Sequence, residues 1–437
     1  MAIQIDAEKK IFTLETDHTM YQMQADAYGV LRHLWYGAKT GCDMSYLQDY
    51  PDVGFSGNIY AAGNDRTYSL DTLPLEYAGA GVGDFRVPAV AAVHADGSSA
   101  LDLRYYSHTV KPGKYGIEGL PAVYAAEDEA ETLEVVLRDT ASAVEVTLLY
   151  AVLPALDLVT RCARIRNLGE TPVTLTKAAS LCLDISRGSW EWVHFHGRHA
   201  MERQMERRLL FHGIQEIGST RGTSSHHQNP TVLLCTPDCT ETAGACIGAA
   251  LVYSGSYQTR LECDQLGQVR MVMGIHPDLF RWELKAGETF STPEVMLSYS
   301  DTGLETLSHH FHQAIREHIC RGKYQLAERP VLINNWEATY FGFDTEKILH
   351  IAEEAARLGV DMLVLDDGWF GKRDDDCSGL GDWFVNETKL SGGLHDLVEK
   401  IKGMGMRFGI WFEPEMISED SDLYRKHPDW AIRIPDL

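Results

Sequence analysis

The hydrophobic pattern changes once along this chain, at about residue 300. Before that point, apolar residues alternate with polar ones or form short runs, as in residues 133–137 (LEVVL) and 144–148 (VEVTL). Turn signals such as Asp96–Gly97 separate these segments. Many short strands separated by turns predict a large antiparallel β-sandwich.

An amphipathic helix is predicted next. Its apolar residues recur at spacings of three and four, at Leu304, Leu307, Phe311 and Ile315. This spacing predicts about five helical turns, and Asp301 or Thr302 is expected to cap the start. The helix also carries three histidines that we expect at the surface, His309, His310 and His312.

From Pro330 onwards the pattern becomes strand, helix, strand, helix, strand. Three apolar runs end in carboxylates, amides and tryptophan, at residues 331–337 (VLINNWE), 362–370 (MLVLDDGWF) and 407–415 (RFGIWFEPE). Helical patterns lie between them, at residues 344–358 and 394–404. This order predicts parallel strands joined by helices, the opening of an α/β domain.

The expected fold class is therefore multidomain: an N-terminal large antiparallel β-sandwich followed by the first part of a (β/α)8 TIM barrel. We expect the sandwich over residues 1–300, a helical connector over 301–329, and the first three βα units of an incomplete catalytic barrel over 330–437. Three strands cannot close a barrel, which takes about eight. We therefore expect a larger protein that continues beyond Leu437.

Composition narrows the possible partners. The formal net charge of −24 argues against nucleic acid or an anionic membrane surface. No signal peptide or long apolar run is visible, and nine scattered cysteines indicate reduced thiols, so a cytoplasmic location is expected. No cofactor is predicted. No metal is predicted either, because Cys235 and Cys239 lack a second close Cys or His pair.

The polar residues after the predicted strands are the candidate chemistry. The carboxyl ends of parallel strands are where α/β barrels build their sites. Asp366 and Asp367 follow one strand, and Gly368 would let the chain turn so that both reach one pocket. Trp336 and Trp411 follow the neighbouring strands. Flat rings cover the C–H face of a pyranose and carboxylates accept its hydroxyl hydrogens, so a sugar pocket is predicted.

A second acidic pair has two interpretations. Glu413 and Glu415 are two residues apart, so both could face the same side of the third strand. They could then be a general acid and base. Alternatively, Glu415 forms a salt bridge within the barrel and Glu413 orients a neighbour. The spacing alone leaves both interpretations open.

Several segments resemble a known family. Residues 334–340 (NNWEATY), 365–373 (LDDGWFGKR) and 409–416 (GIWFEPEM) resemble barrel signatures of glycoside hydrolase family 36, the bacterial α-galactosidases. Residues 55–58 (FSGN) and 221–226 (RGTSSH) resemble the family's N-terminal sandwich. The resemblance spans essentially the whole chain.

The resemblance implies retaining hydrolysis of terminal α-D-galactosyl residues in melibiose- or raffinose-type sugars. In that reaction a carboxylate attacks the anomeric carbon, and a second carboxyl about 5–5.5 Å away protonates the leaving oxygen. The family's nucleophile lies in a Lys-Trp-Asp-like motif, which does not occur in this sequence. No catalytic residue is assigned, the nucleophile and acid/base are expected beyond Leu437, and this chain alone is expected to be inactive.

What the resemblance does assign is galactose binding. Asp366 and Asp367 are expected to accept hydrogen bonds from the O4 and O6 hydroxyls, with Trp336 and Trp411 as walls. Family members often form homotetramers whose N-terminal loops reach a neighbour's pocket. Two further residues are candidates for that role, Asp52 and Arg66.

Other functions remain open at this point. The missing carboxylates leave a non-hydrolytic carbohydrate-binding or structural module as the alternative from another class. Within the family, an α-N-acetylgalactosaminidase or a galactosyltransferase is also compatible. In each case the expected partner is a galactose-containing oligosaccharide.

Overall fold

The computed structural model describes residues 2–52, 54, 59–139, 141–185 and 188–435. The chain divides into two compact units, Met1–Gln325 and Leu326–Leu437. The sequence segment 55–58, which carries part of the family resemblance, lies outside the described residues. No helix among the described residues is long and apolar enough to cross a membrane.

The first unit is built from antiparallel strands, as the alternating pattern predicted. In chain order the strands are β1 (Ile3–Asp6), β2 (Ile11–Glu15), β3 (Thr19–Ala25), β4 (Leu31–Ala38), β5 (Val90–Val93), β6 (Arg104–Pro112), β7 (Glu131–Asp139), β8 (Val144–Leu153), β9 (Leu158–Asn167), β10 (Val173–Ile185), β11 (Glu191–Arg198), β12 (Met201–Leu209), β13 (Gly213–Ser219), β14 (Gln228–Cys235), β15 (Cys246–Val252), β16 (Tyr257–Cys263), β17 (Val269–Ile275), β18 (Trp282–Leu284), β19 (Thr289–Ser291) and β20 (Glu294–Ser300). Single 3-10 turns occur at Ser45–Leu47, Tyr60–Ala62 and Pro154–Leu156.

These strands form three sheets. A four-stranded sheet has the order β1-β2-β3-β4, and a six-stranded sheet has the order β13-β16-β17-β10-β18, with β5 also paired to β10. The largest sheet has the order β12-β11-β14-β15-β20-β9-β8-β7-β6, with β19 paired to β9. Apolar residues from all three sheets, including Phe12, Leu148 and Leu183, pack into one core. This arrangement confirms the large antiparallel sandwich.

Burial along β8 shows why the alternating pattern forms a strand here. Val144, Val146 and Leu148 are buried, whereas Glu145 and Thr147 between them are only half-buried. Successive side chains of a strand point to opposite faces, so the apolar set faces the core. The period of two in the sequence is thus the period of burial.

Helix α1 (Leu304–His318) belongs to the first unit and has 15 residues, about one turn fewer than predicted. The N-cap is Gly303 and no side chain caps the helix, so the assignment of Asp301 or Thr302 as cap was wrong. Gly303 has φ +95°, and a Cβ there would lie 2.5 Å from the carbonyl oxygen of Glu241. Only glycine tolerates this backbone and this close approach.

The prediction for the helix histidines was wrong at one position. His309 and His312 are exposed, but His310 is half-buried and its Nδ1 lies 2.8 Å from the Ser298 hydroxyl. The helix packs against β20, which carries Ser298. At about 100° per residue, His310 lies on the side of the helix nearer to β20, whereas His309 and His312 are turned towards solvent.

The second unit contains parallel strands joined by helices, as predicted. Its strands are β21 (Leu332–Asn334), β22 (Met362–Leu365) and β23 (Arg407–Ile410), in that spatial order. Its helices are α2 (Trp336–Thr339), α3 (Thr345–Arg357), α4 (Gly393–Gly403) and α5 (Asp422–Lys426), with a 3-10 turn at Pro428–Trp430. These elements are the start of the barrel region.

Helix α3 follows the rules that its sequence suggests. The Asp344 side chain caps it by accepting a hydrogen bond from the Lys347 N–H. Ile348 and Ala352 are buried on one face and pack in the same core as Leu363 of β22. Burying this face against the sheet stabilises both elements, because apolar surface is removed from water.

Candidate functional site

The three parallel strands end at the same edge of their sheet. Asn334 pairs with Val364, and Leu365 pairs with Ile410. The chain leaves β22 directly into Asp366, and the strands on either side end within one residue of the same level. Polar side chains from three separate sequence segments are thereby brought together.

Asp366 is held from both sides. Its carboxylate accepts a hydrogen bond from the side-chain amide of Asn334 and another, at 2.8 Å, from the Asp367 N–H. Its own N–H donates to the Asn335 side-chain oxygen at 2.8 Å. The residue is nevertheless only half-buried. The carboxylate is therefore oriented while remaining open to a ligand.

The asparagine pair was not assigned a role from the sequence. Asn335 is fully buried, and its amide donates to the Thr339 hydroxyl at 2.8 Å. The Asn334 side-chain oxygen accepts from the Trp336 N–H at 2.7 Å. A signal was present, because two adjacent amides directly after an apolar run need polar partners if they are buried.

Asp367 has a different environment from Asp366. Its side chain is buried, and it accepts from Arg373 through Nε, 3.1 Å from both oxygens, and through Nη2 at 2.8 Å. The Gly368 N–H also donates to it, at 2.7 Å. This is the fork geometry in which a guanidinium binds a carboxylate most strongly. The sequence did not identify Arg373 as part of the site.

A sharp turn follows the two aspartates. Gly368 has φ +93°, and a Cβ there would lie 3.0 Å from the Phe341 ring. Strand β22 ends at Leu365, so Asp366 and Asp367 lie outside it. Their side chains therefore do not have to alternate between the two faces of the sheet. The turn expected at Gly368 is present.

Lys389 closes the loop that this turn begins. Its ammonium donates to the carbonyl oxygens of Gly368 at 3.1 Å and Arg373 at 3.0 Å. It also lies 2.8 Å from the Asp374 carboxylate. The Lys389 ammonium therefore links Gly368, where the turn lies, to Arg373 and Asp374 further along the same loop.

Aromatic rings surround the polar groups. Trp369 is buried, and its indole N–H donates to the Trp411 carbonyl at 3.0 Å. The Trp411 ring lies nearly parallel to Phe370, with centroids 6.5 Å apart. Trp336 packs edge-on against Phe341 at 5.1 Å. Trp336 and Trp411 remain half-buried, so part of each ring is free to contact a ligand.

Glu413 and Glu415 do not lie on a strand. Strand β23 ends at Ile410, and the chain turns so that the Met416 N–H donates to the Glu413 carbonyl at 3.4 Å. Of the two arrangements that the spacing left open, the one with both side chains on one face of the third strand is therefore excluded, and Pro414 within the segment cannot donate to a strand ladder. Glu415 is exposed, whereas burial, followed by the charge of Glu415, raises the pKa of Glu413.

Asp52 and Arg66 lie in loops of the first unit. The Arg66 Nε is 3.1 Å from the Asp52 carboxylate, and the side chains are 58% and 60% exposed, respectively. The Gly54 N–H also donates to Asp52, at 2.9 Å. The pair is thus preformed and open to solvent.

Among the described residues, no group of three or more His, Cys, Asp or Glu side chains could hold a metal ion. The consecutive acids Asp374, Asp375 and Asp376 are exposed, and Asp375 accepts from the Cys377 N–H of its own loop. His194, on β11, is buried with its ring 3.2 Å from the Glu206 carboxylate. Asp375 and His194 thus have local structural partners.

Parallel strands joined by helices, with carboxylates, amides and indole rings at the strand ends, place the second unit in the α/β barrel class, whose sites lie at that end of the strands. Two family models match consecutive parts of the chain: "Glycosyl hydrolase family 36 N-terminal domain" at residues 29–285 and "Melibiase" at residues 289–437. The chain belongs to glycoside hydrolase family 36.

Similar proteins carry α-galactosidase names. The bifunctional alpha-galactosidase/sucrose kinase AgaSK of Mediterraneibacter gnavus is 55% identical over 99% of this chain and 46% of its own length. Alpha-galactosidase AgaA of Geobacillus stearothermophilus is 44% identical over 100% of this chain and 60% of its own. The chain thus spans between 46% and 60% of the length of these two relatives.

Solved structures show the same fold. The galactosidase domain of AgaSK superposes with a TM-score of 0.97 at 54% identity, covering 100% of this chain and 61% of that one. A variant of G. stearothermophilus AgaA in complex with raffinose superposes with a TM-score of 0.94 at 44% identity, covering 98% of this chain and 60% of that one.

Proposed function

We propose that this chain provides the galactose-recognition part of an α-galactosidase that removes terminal α-D-galactosyl residues with retention of configuration. The observation that carries the proposal is the half-buried Asp366, whose carboxylate accepts from the Asn334 amide while its backbone N–H donates to Asn335. A fixed acceptor binds the axial O4 hydroxyl of galactose and leaves glucose, its epimer, with an unmade hydrogen bond. Trp336 and Trp411 supply the flat walls.

The proposed substrates are raffinose-type oligosaccharides. Variants of AgaA from G. stearothermophilus were solved with raffinose and with stachyose. Both sugars end in galactose. A site that binds only the terminal galactose ring, with the other sugar units outside the pocket, would accept raffinose and stachyose equally. We propose the same substrate class, together with melibiose, for this chain.

We propose that residues 1–437 do not contain the two catalytic carboxyl groups. Retaining hydrolysis takes a nucleophile and an acid/base about 5–5.5 Å apart. Asp367 is bound to Arg373, and Glu415 is exposed beside a turn, so neither is suited to attack an anomeric carbon. The 437-residue chain should then bind galactose without turning over an α-galactoside.

Calorimetric titration with galactose and with glucose tests recognition, and release of a chromogenic α-galactoside's aglycone tests turnover. We expect galactose to bind more tightly than glucose. Asp366→Ala should weaken galactose binding by about tenfold to a hundredfold, the usual effect of losing a hydrogen bond to a charged group. Asp376→Ala, in the exposed loop, is the matched control.

Each outcome separates two functions. Binding without turnover supports the proposal for this chain, and turnover at enzyme-like rates would show that the catalytic pair is present after all. Equal affinity for galactose and glucose would contradict the recognition role. A non-hydrolytic carbohydrate-binding module is the second candidate, favoured by the absence of a Lys-Trp-Asp motif from the sequence. Tighter binding of N-acetylgalactosamine would favour an α-N-acetylgalactosaminidase.

We also propose a homo-oligomer, a tetramer by family resemblance, in which Asp52 and Arg66 reach a neighbour's galactose pocket. Exposed aromatic side chains near them in sequence, Tyr50 and Tyr60, support a contact surface there. Light scattering on the purified protein measures the mass, and Arg66→Ala should lower it if the loop contributes to assembly. A cytoplasmic location is proposed as well, in keeping with nine unpaired cysteines.

A further inference from the structure

The loop after β22 contains a buried charge pair, formed by Asp367 and Arg373. Arg373 is only 3% exposed, and its guanidinium donates to Asp367 through Nε and Nη2. The third nitrogen, Nη1, donates to the Ser378 carbonyl at 2.9 Å. All three nitrogens therefore have partners within the protein, so Arg373 has little left to offer a sugar.

The same guanidinium is fixed from its other side. Its carbon lies 5.4 Å from the centre of the Phe341 ring, in cation–π contact. Phe341 is also the ring that packs against Gly368 and Trp336. The position of Arg373 is thus determined by the loop, the turn and the aromatic wall together.

The charges around Asp367 indicate what its pairing with Arg373 does. Asp367 is buried beside two further carboxylates, those of Asp366 and Glu413. A buried carboxylate near other negative charges favours its neutral form, which would donate a proton instead of accepting one from a hydroxyl. Arg373 supplies the positive charge beside Asp367, and its fork fixes where both carboxylate oxygens lie.

We propose that Arg373 is a positioning residue for galactose recognition: it acts through Asp367, holding that carboxylate paired with a positive charge and aligned beside Asp366. This inference rests on the proposed function. Lys389 contributes differently, because it binds the carbonyls of Gly368 and Arg373 and no oxygen of either aspartate. Loss of Lys389 loosens the loop but leaves the counter-charge of Asp367 in place.

That difference defines the test. Galactose affinity is measured by calorimetry between about pH 8 and pH 5.5, a range in which an uncompensated buried carboxylate takes up a proton. Three variants are compared with the unaltered chain: Arg373→Met, Arg373→Lys and Lys389→Met. Arg425→Met, whose guanidinium pairs with Asp420 and Asp422 on the surface, is the control for the loss of one positive charge.

For Arg373→Met we expect about tenfold to a hundredfold weaker binding at the alkaline end, because Asp367 loses its alignment. A further loss of about tenfold is expected towards acid pH, as the carboxyl protonates. Arg373→Lys should restore the pH profile and only part of the affinity, since an ammonium supplies charge without the fork. Lys389→Met should lower the galactose affinity by the same factor at every pH.

The result that overturns the assignment is a folded Arg373→Met chain with the affinity and pH profile of the unaltered one. An equal, pH-independent loss in Arg373→Met and Lys389→Met would also overturn it, because Arg373 would then only hold the loop together. Failure of the unaltered chain to bind galactose at any pH is a different result. That outcome removes the proposed function itself.

Discussion

The Arg161 guanidinium lies 2.7 Å from the Glu76 carboxylate inside the sandwich, and the two side chains are 1% and 0% exposed. The Tyr150 hydroxyl donates to the same carboxylate at 2.6 Å, and the His33 ring lies 3.1 Å from its other oxygen. Ion pairs this deep have no water to replace a missing partner. The pair therefore joins β9 to the loop before β5 at a point where substitution is costly.

Glu76→Gln should destabilise the first unit by about 3–5 kcal/mol, because it leaves the Arg161 charge buried without its counter-ion. The free energy of unfolding is measured in urea. The control is Glu134→Gln, which breaks the pair with the exposed Lys111 and should change stability by about 1 kcal/mol at most. Comparable losses in the two variants would mean that the buried pair has no special weight.

The same pair predicts how stability responds to acid. Burial opposes ionisation of Glu76, but the Arg161 charge and the hydrogen bond to His33 outweigh it and hold its pKa below the ordinary value of 4.5. A lowered folded-state pKa stabilises the fold above the unfolded-state pKa, and that stability is lost as the pH falls below it. In the unaltered chain, the urea concentration at the unfolding midpoint should therefore decrease as the pH is lowered below about 4.5. In Glu76→Gln the same midpoint should decrease less steeply with pH.

Gly368→Ala should destabilise the second unit by about 1–3 kcal/mol, since alanine at φ +93° is strained and its Cβ would press on the Phe341 ring. Thermal unfolding measures the change. Gly405→Ala is the matched control, because Gly405 has φ +82° but a Cβ there would meet no atom within 4 Å. The excess loss at Gly368 isolates the steric contact, and equal losses would show that only the backbone angle matters.

Thiol reactivity checks the fold independently. Cys42, Cys320 and Cys377 are exposed, whereas the others are buried or, for Cys263, half-buried. Burial raises the pKa of the Cys235 thiol to about 12, which keeps it protonated and unreactive. We expect three thiols to react rapidly with a disulfide reagent in the native protein and all nine after denaturation. Rapid reaction of Cys235 would contradict the packing of the sandwich.

The layers of the fold could be predicted because burial follows sequence period. Residues 144–148 alternate in burial as they alternate in polarity, and the second unit's strands end where apolar runs meet polar residues. Sheet order could not be predicted in this way. Strand β5 pairs with β10 across about eighty positions, and nothing local in either strand specifies that partner.

The site was predictable at the strand ends and unpredictable in the loops. Asp366 and Trp411 directly follow their strands, so sequence position fixes their level in the sheet. Arg373 lies six residues after Asp367 in a loop of charged residues, and only the turn at Gly368 brings it back to the carboxylate. The path of a loop depends on contacts such as those of Lys389, which no periodic pattern encodes.

The loop after β22 also supplies Trp369 and Phe370 to the hydrophobic core of the second unit. Occupation of the site by a sugar and unfolding of that core are consequently linked equilibria. A ligand at a hundred times its dissociation constant adds about 2.7 kcal/mol to the free energy of unfolding. Sugars could then be ranked by how far each one raises the melting temperature, which would reveal specificity without any bond being cleaved.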